Sequence, residues 1–217
     1  MTVITIRGQL GSGAPQIGKI CAERLKLEYV DREIINRTAD RLDRPRHQII
    51  DKEFLPVTLK DRINRIIRAD FAGLNTLGRA SKDEDTPPLD NAHYMKGLKS
   101  VIRGLARTEA VVINGRGSQF FLKYHPGALH VLTVAPIDLR VGRVMRGFAI
   151  DEAAAREKIN RYDNSRREFI KKYFKEDLED PLHYDITINT GHLTYEHAAD
   201  MVIRAFNLKR VAAEESV

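Results

Sequence analysis

Residues Thr2–Asp31 read TVITIRGQLGSGAPQIGKICAERLKLEYVD, and the order of patterns in this stretch decides the fold. TVITI is a short β-branched run, the composition of a buried strand, and it runs into glycines at 8, 11 and 13. Beyond them Ile17, Ile20, Cys21 and Leu25 recur at helical spacing, so the glycine turn feeds a helix. LEYVD then reads as a second strand that ends at Asp31. Strand, glycine loop, helix and strand in this order predict an α/β layer structure around a parallel sheet.

Gly8 and Gly13 stand at the two glycine positions of the phosphate-gripping pattern G-x-x-x-x-G-K-[ST]. In the full pattern backbone N–H groups wrap the phosphates, the Lys neutralises them and the hydroxyl holds Mg²⁺. Here the next two residues are Ala14 and Pro15. The glycines can still aim successive N–H groups at an anion, and a helix N-terminus adds a favourable dipole. Pro15 suits the first helical turn, at the loss of one donor. A plain strand-to-helix turn is the alternative. The spacing defeats a dinucleotide fingerprint, because G-x-G-x-x-G from Gly11 needs glycine where Gln16 stands.

Residues 32 to about 79 read as mostly helical and arginine-rich, with Arg62, Arg65 and Arg68 near one face. SKDEDTPPLDN, from Ser81, is an acidic loop punctuated by two prolines. A helix follows with Tyr94, Leu98, Val101, Ile102 and Leu105 on its apolar side. AVVIN, ALHVLTVA and DITIN complete a set of five strands. The basic stretch Ile137–Phe174 is expected to form two helices, broken near Gly147 with Asp151 as N-cap. TYEHAADMVIRAFNL is the last helix, with Thr194 as its cap.

With 217 residues and an apolar fraction of 42%, the chain can build one large core, with or without a smaller inserted part. No apolar run approaches the ~20 residues of a membrane span. MTVITIRGQL lacks a signal-peptide pattern, and one cysteine makes no internal disulfide, so a cytoplasmic address is expected. A net charge of +6 suits anionic partners. Aromatics are only 7% with no Trp, and no run alternates basic and aromatic residues, so nucleic acid is not the expected partner. Oligomeric state is left open.

Three further groups of residues point to phosphate chemistry. INGRGS puts Arg116 in a glycine turn after a buried strand, at the sheet edge where open α/β folds bind ligands. Arg140 and Arg143 share a helical face, and Arg161, Asp163, Arg166 and Arg167 lie on the following helix. Phosphoryl transfer needs positive charge around the equatorial oxygens, which arginines on a lid supply. Each group, taken alone, also reads as solvated surface charge.

In this order the segments resemble the nucleoside monophosphate kinases, and within them the cytidylate kinase-like branch. GSGAPQIGKICAERL…EYVDRE is similar to that branch's GSGGREIGKxLAExL…YYD+E. VINGRGSQFFL, LHVLTVAPIDLRVGRVM, KINRYDNSRREFIKKYF and DPLHYDITINTGHLTYEHAADMV also look like it, at similar spacings. The resemblance covers nearly the whole chain and is faintest between about Asp40 and Asn91. It implies a P-loop kinase three-layer sandwich with a five-stranded parallel sheet flanked by helices. It further implies one kinase-like domain: core 1–31, 92–140 and 180–208, a helical acceptor-binding insert at about 32–91, and an arginine lid at about 141–179. The implied reaction is transfer of the γ-phosphoryl group of ATP to CMP or dCMP with Mg²⁺. Gly8, Gly11, Ser12, Gly13 and Lys19 are the expected donor-binding set, and Asp31, Arg37 and Arg116 the acceptor-binding set. Arg143, Asp163, Arg166 and Arg167 are the expected catalytic lid residues, and no protein metal ligand is assigned.

The chain departs from this pattern where the chemistry is most exposed. Ala14 stands where kinases have the loop Lys, and Pro15 where the branch has Arg and other kinases Ser/Thr. Asn114 takes the place of an Asp, and Gly117 that of the Asp in G-R-D. Removing one preorganised donor typically costs about 10²–10³ in rate. Two readings therefore remain open: a kinase whose lid arginines replace the loop cation, and a non-catalytic nucleotide-binding module.

Overall fold

The computed structural model describes residues 3–53, 89–108 and 110–215. Arg62, Arg65, Arg68 and the loop from 81 to 88 lie outside the described residues. The elements are β1 (Val3–Gly8), α1 (Ala14–Leu25), β2 (Glu28–Val30), α2 (Glu33–Leu42), α3 (Arg46–Glu53), α4 (Asn91–Thr108) and β3 (Val111–Asn114). Then come α5 (Ser118–Phe121), β4 (Ala128–Val134), α6 (Ile137–Phe148), α7 (Glu152–Phe174), a 3₁₀ turn at Pro181–His183, β5 (Ile186–Asn189) and α8 (Tyr195–Glu215).

All strand pairs are parallel, in the order β2-β3-β1-β4-β5. β1 is central and buried on both faces, and its alternating side chains sort the helices into two layers. Ile4 and Ile6 join Ile17 and Cys21 of α1 and Val202 and Phe206 of α8 in one core. Val3 joins Ile34 of α2 and Tyr94, Leu98 and Ile102 of α4 in the other. A five-stranded parallel sheet flanked by helices, the three-layer α/β fold, is thus what the β–loop–α–β opening builds. Burial pushes the Cys21 thiol up to about 12, leaving it an inert core side chain.

The basic stretch divides as its signals predict. α6 ends at Phe148, and Asp151 caps α7 by accepting a hydrogen bond from Ala154 N. Thr194 Oγ1 accepts from His197 N at the start of α8. The α6–α7 pair has a small core of its own, Val141, Val144, Ala155 and Ile159, against which Leu10 of the glycine loop packs. Among the described residues no helix is long and apolar enough to cross a membrane.

Candidate functional site

The glycine loop leaves β1 between β3 and β4, the point where the chain's strand order reverses and ligands of open α/β sheets bind. Gly11 and Gly13 take φ of +87° and +91°, a region costly for other residues. A Cβ on Gly13 would also lie 2.3 Å from the Tyr195 ring. Ala14 and Pro15 open α1 and line the cleft with the loop. The first N–H groups of α1 have no intrahelical partner, the chemistry that helix N-termini offer to anions, except that Pro15 brings none.

The loop is held from above by α6 and α7. Arg140 Nε donates to Leu10 O at 2.9 Å, and Leu10 N donates to Asp163 Oδ1 at 3.0 Å. Arg140 and Asp163 are themselves ion-paired and both buried. One turn on, Arg143 donates to Gly11 O at 3.1 Å and to Thr190 Oγ1 and O at 2.9 and 2.8 Å. The Thr190 hydroxyl donates to Ser12 O, and the Arg143 guanidinium lies 5.3 Å from the Tyr195 ring centre. Two arginines thus occupy loop carbonyls, and Arg143 of the pair also lines the cleft.

Across the cleft the carboxyl ends of β2 and β3 bring Asp31, Asn114 and Arg116 together. Asn114 Nδ2 donates to Tyr29 Oη at 3.0 Å and to Asp31 Oδ2 at 3.4 Å. Arg116 Nη2 lies 3.8 Å from Asp31 Oδ1. Arg116 is held at φ +59° between two left-handed glycines, and its side chain is buried against Glu53 of α3. Burial, with Asp31 adding, raises the Tyr29 phenol well above its ordinary range, so it stays neutral.

The cleft encloses about 1580 Å³, above the ~300–1,000 Å³ of a single-ligand pocket. Among the described lining residues eight are Arg or Lys and two, Asp31 and Asp51, are acidic. Such a balance favours ligands carrying several negative charges.

The sequence matches the cytidylate kinase-like family over residues 3–192. The chain belongs to the cytidylate kinase-like family. It is 25% identical over 208 residues to a cytidylate kinase from Sulfolobus acidocaldarius, covering 96% of each chain. A uronate isomerase from Corynebacterium glutamicum is 34% identical over 104 residues, but the match spans 48% of this chain and 20% of that protein. Among solved structures, an uncharacterized protein from Eubacterium ventriosum superposes with a TM-score of 0.67 at 20% identity, over 95% of this chain and 99% of the other. Family and fold together support a nucleoside monophosphate kinase-like role.

Of the residues that the sequence marked on this family's pattern, Gly8, Gly11, Gly13, Asp31, Arg116, Arg143 and Arg166 line one cleft. Arg166 stands 5.2 Å from the Tyr162 ring. Five others are not brought to its wall. Ser12 is buried, its hydroxyl bonded to Gln9 O and Thr133 Oγ1, both at 2.7 Å. Lys19 is exposed with Nζ over the Tyr29 ring. Arg37 pairs with Glu28 and Glu33, at 3.0 and 2.9 Å, while Arg32 and Arg46 line the cleft. Arg167 pairs with Glu179 at 3.6 Å, and Asp163 is committed to Arg140 and Leu10. Thr190, Tyr195 and Glu53 were not singled out from the sequence. The position of Thr190 just past the last strand was the one available signal.

Proposed function

We propose that this protein transfers the γ-phosphoryl group of ATP to a nucleoside monophosphate, CMP or dCMP, and that Arg143 supplies the cation its glycine loop lacks. The observation that carries this reading is the Arg143 guanidinium seated on Gly11 O above the loop. An arginine there stands beside any phosphate held by the loop, as the missing Lys would. Such transfer depends almost wholly on positioning and charge stabilisation. An oxygen of the acceptor phosphate attacks the γ-phosphorus as the bond to the β–γ bridging oxygen breaks, leaving ADP.

In this reading Gly8, Gly11, Gly13 and the start of α1 bind the donor through backbone N–H groups. Asp31 and Arg116 bind the acceptor, within an acceptor-binding region at 32–91. Arg143 and Arg166 flank the transferred group from the lid at 141–179. Arg140 and Asp163 act one step away, by holding Leu10. Lys19, Arg37 and Arg167 are given no contact with either substrate. Magnesium takes one or two carboxylates together with substrate phosphates and water. The cleft-facing Asp31, side chain one-third exposed, fits that need, and the inward Ser12 hydroxyl does not. When bound, the ion would offset charge on the β- and γ-phosphates. The lone buried Cys21 suits a reducing cytoplasm.

The inward Ser12 together with Ala14 and Pro15 favours a second reading, a module that binds nucleotide without turnover. The purified protein is incubated with ATP, Mg²⁺ and a panel of nucleoside monophosphates, and diphosphate product is measured. Product with CMP or dCMP that disappears in Arg116→Ala is the expected result. Tight ATP binding with no product from any acceptor would overturn the kinase reading in favour of the module.

A further inference from the structure

Glu53 closes α3 and its carboxylate is fully buried, with Oε1 2.9 Å from Arg116 Nε. The Nε–H does not aim at it, so Oε1 and Nε form an ion pair without a directed hydrogen bond, and Oε2 has no hydrogen-bond partner among the described residues. Among the described residues the buried Tyr94 hydroxyl likewise has none. Burying a carboxylate is costly unless it is paired, and burial raises Glu53 while Arg116 and then Arg166 draw it back down. A buried charge kept at such cost needs a role.

We propose that Glu53 is a positioning residue for Arg116, fixing the guanidinium by its inner Nε edge so that the terminal nitrogens stay beside Asp31. That the acceptor binds at this corner rests on the phosphoryl-transfer reading above; the arrangement of the two side chains does not. The backbone of Arg116 is fixed by its left-handed turn, but its long side chain is anchored only by what it meets. Asp31, at 3.8 Å and partly in solvent, holds it weakly, whereas Glu53 meets it out of water. A guanidinium held before the ligand arrives loses less rotamer freedom on binding. The same contact ties α3 to the acceptor corner, so that a change at one is felt at the other.

Isotope-labelled protein without ligand gives the decisive readout, the arginine Nε–Hε resonance of Arg116, assigned by its loss in Arg116→Lys. We expect a protected signal whose hydrogen exchange quickens about ten-fold or more in Glu53→Gln, with a lowered Tm because Arg116 is left buried without its counter-charge. In the same variant the KM or Kd for the monophosphate should rise about ten-fold with ATP binding unchanged. If Glu53→Gln does not fold, Glu53→Asp serves, with a smaller change in the same direction. Unchanged Hε exchange in a folded variant overturns the proposal, as does an equal loss of donor and acceptor affinity. A wild-type protein with the Hε effect that binds no nucleoside monophosphate contradicts the phosphoryl-transfer reading and not the Glu53–Arg116 arrangement.

Discussion

Gly13 carries two constraints at once: a left-handed backbone and a tyrosine ring in the space a Cβ would need. Gly13→Ala should therefore destabilise the fold by about 1–3 kcal/mol and weaken ATP binding. Urea unfolding and calorimetry read the two effects, and an unchanged midpoint with unchanged ATP affinity would show that the loop tolerates a side chain. The glycine's importance is legible in the sequence, since a strand running into glycines and a helix implies such a turn. What presses on it is not. Tyr195 is more than 180 residues away, and no local pattern links it to Gly13. Ser12 shows the same limit, because a hydroxyl in such a loop can face ligand or sheet, and Gln9 O with Thr133 Oγ1 turns it to the sheet.

The α6–α7 pair is built to hold the glycine loop as well as to cover it. Its helix break, cap and basic character follow from Gly147, Asp151 and the spacing of arginines, so its existence could be read from sequence. The partners of those arginines could not, since the acceptors are backbone carbonyls that carry no sequence signature. The family resemblance sets Asp163 among the catalytic lid residues, and its carboxylate binds Arg140 and Leu10 N. Breaking a buried pair by removing one partner costs about 3–5 kcal/mol, and replacing both with apolar groups is often neutral. Asp163→Leu should thus be strongly destabilised, and Asp163→Leu with Arg140→Met should recover stability without recovering ATP affinity. Thermal unfolding and ATP titration of both variants test this. A double variant that binds ATP normally would show that Leu10 needs no clamp.

At the scale of the whole molecule, the parallel sheet follows from five β-branched runs and intervening helical periods. The faintest region of resemblance, by contrast, is the arginine-rich segment after Asp40, where the site residues Arg46 and Glu53 lie. The sheet also buries an imidazole, His130 of β4. His130 is bonded through Nδ1 to Thr5 Oγ1, and burial lowers it to about 4 from an ordinary value near 6.5. Between these values the unfolded chain binds a proton that the folded chain refuses, so stability falls as pH drops through that window. The loss is at most about 3 kcal/mol. His130→Asn should show a smaller drop in Tm between pH 7.5 and pH 4 than wild type, and an equal drop would assign the acid sensitivity elsewhere.

In the phosphoryl-transfer reading, a loop without its own cation supports transfer because Arg143 stands in for it. Its most direct test is the single-turnover rate of ATP-to-monophosphate transfer in Arg143→Met, with ATP affinity and Tm measured alongside. The expected rate is lower by about 10²–10³, in a folded protein that still binds ATP. A wild-type rate in Arg143→Met would contradict it.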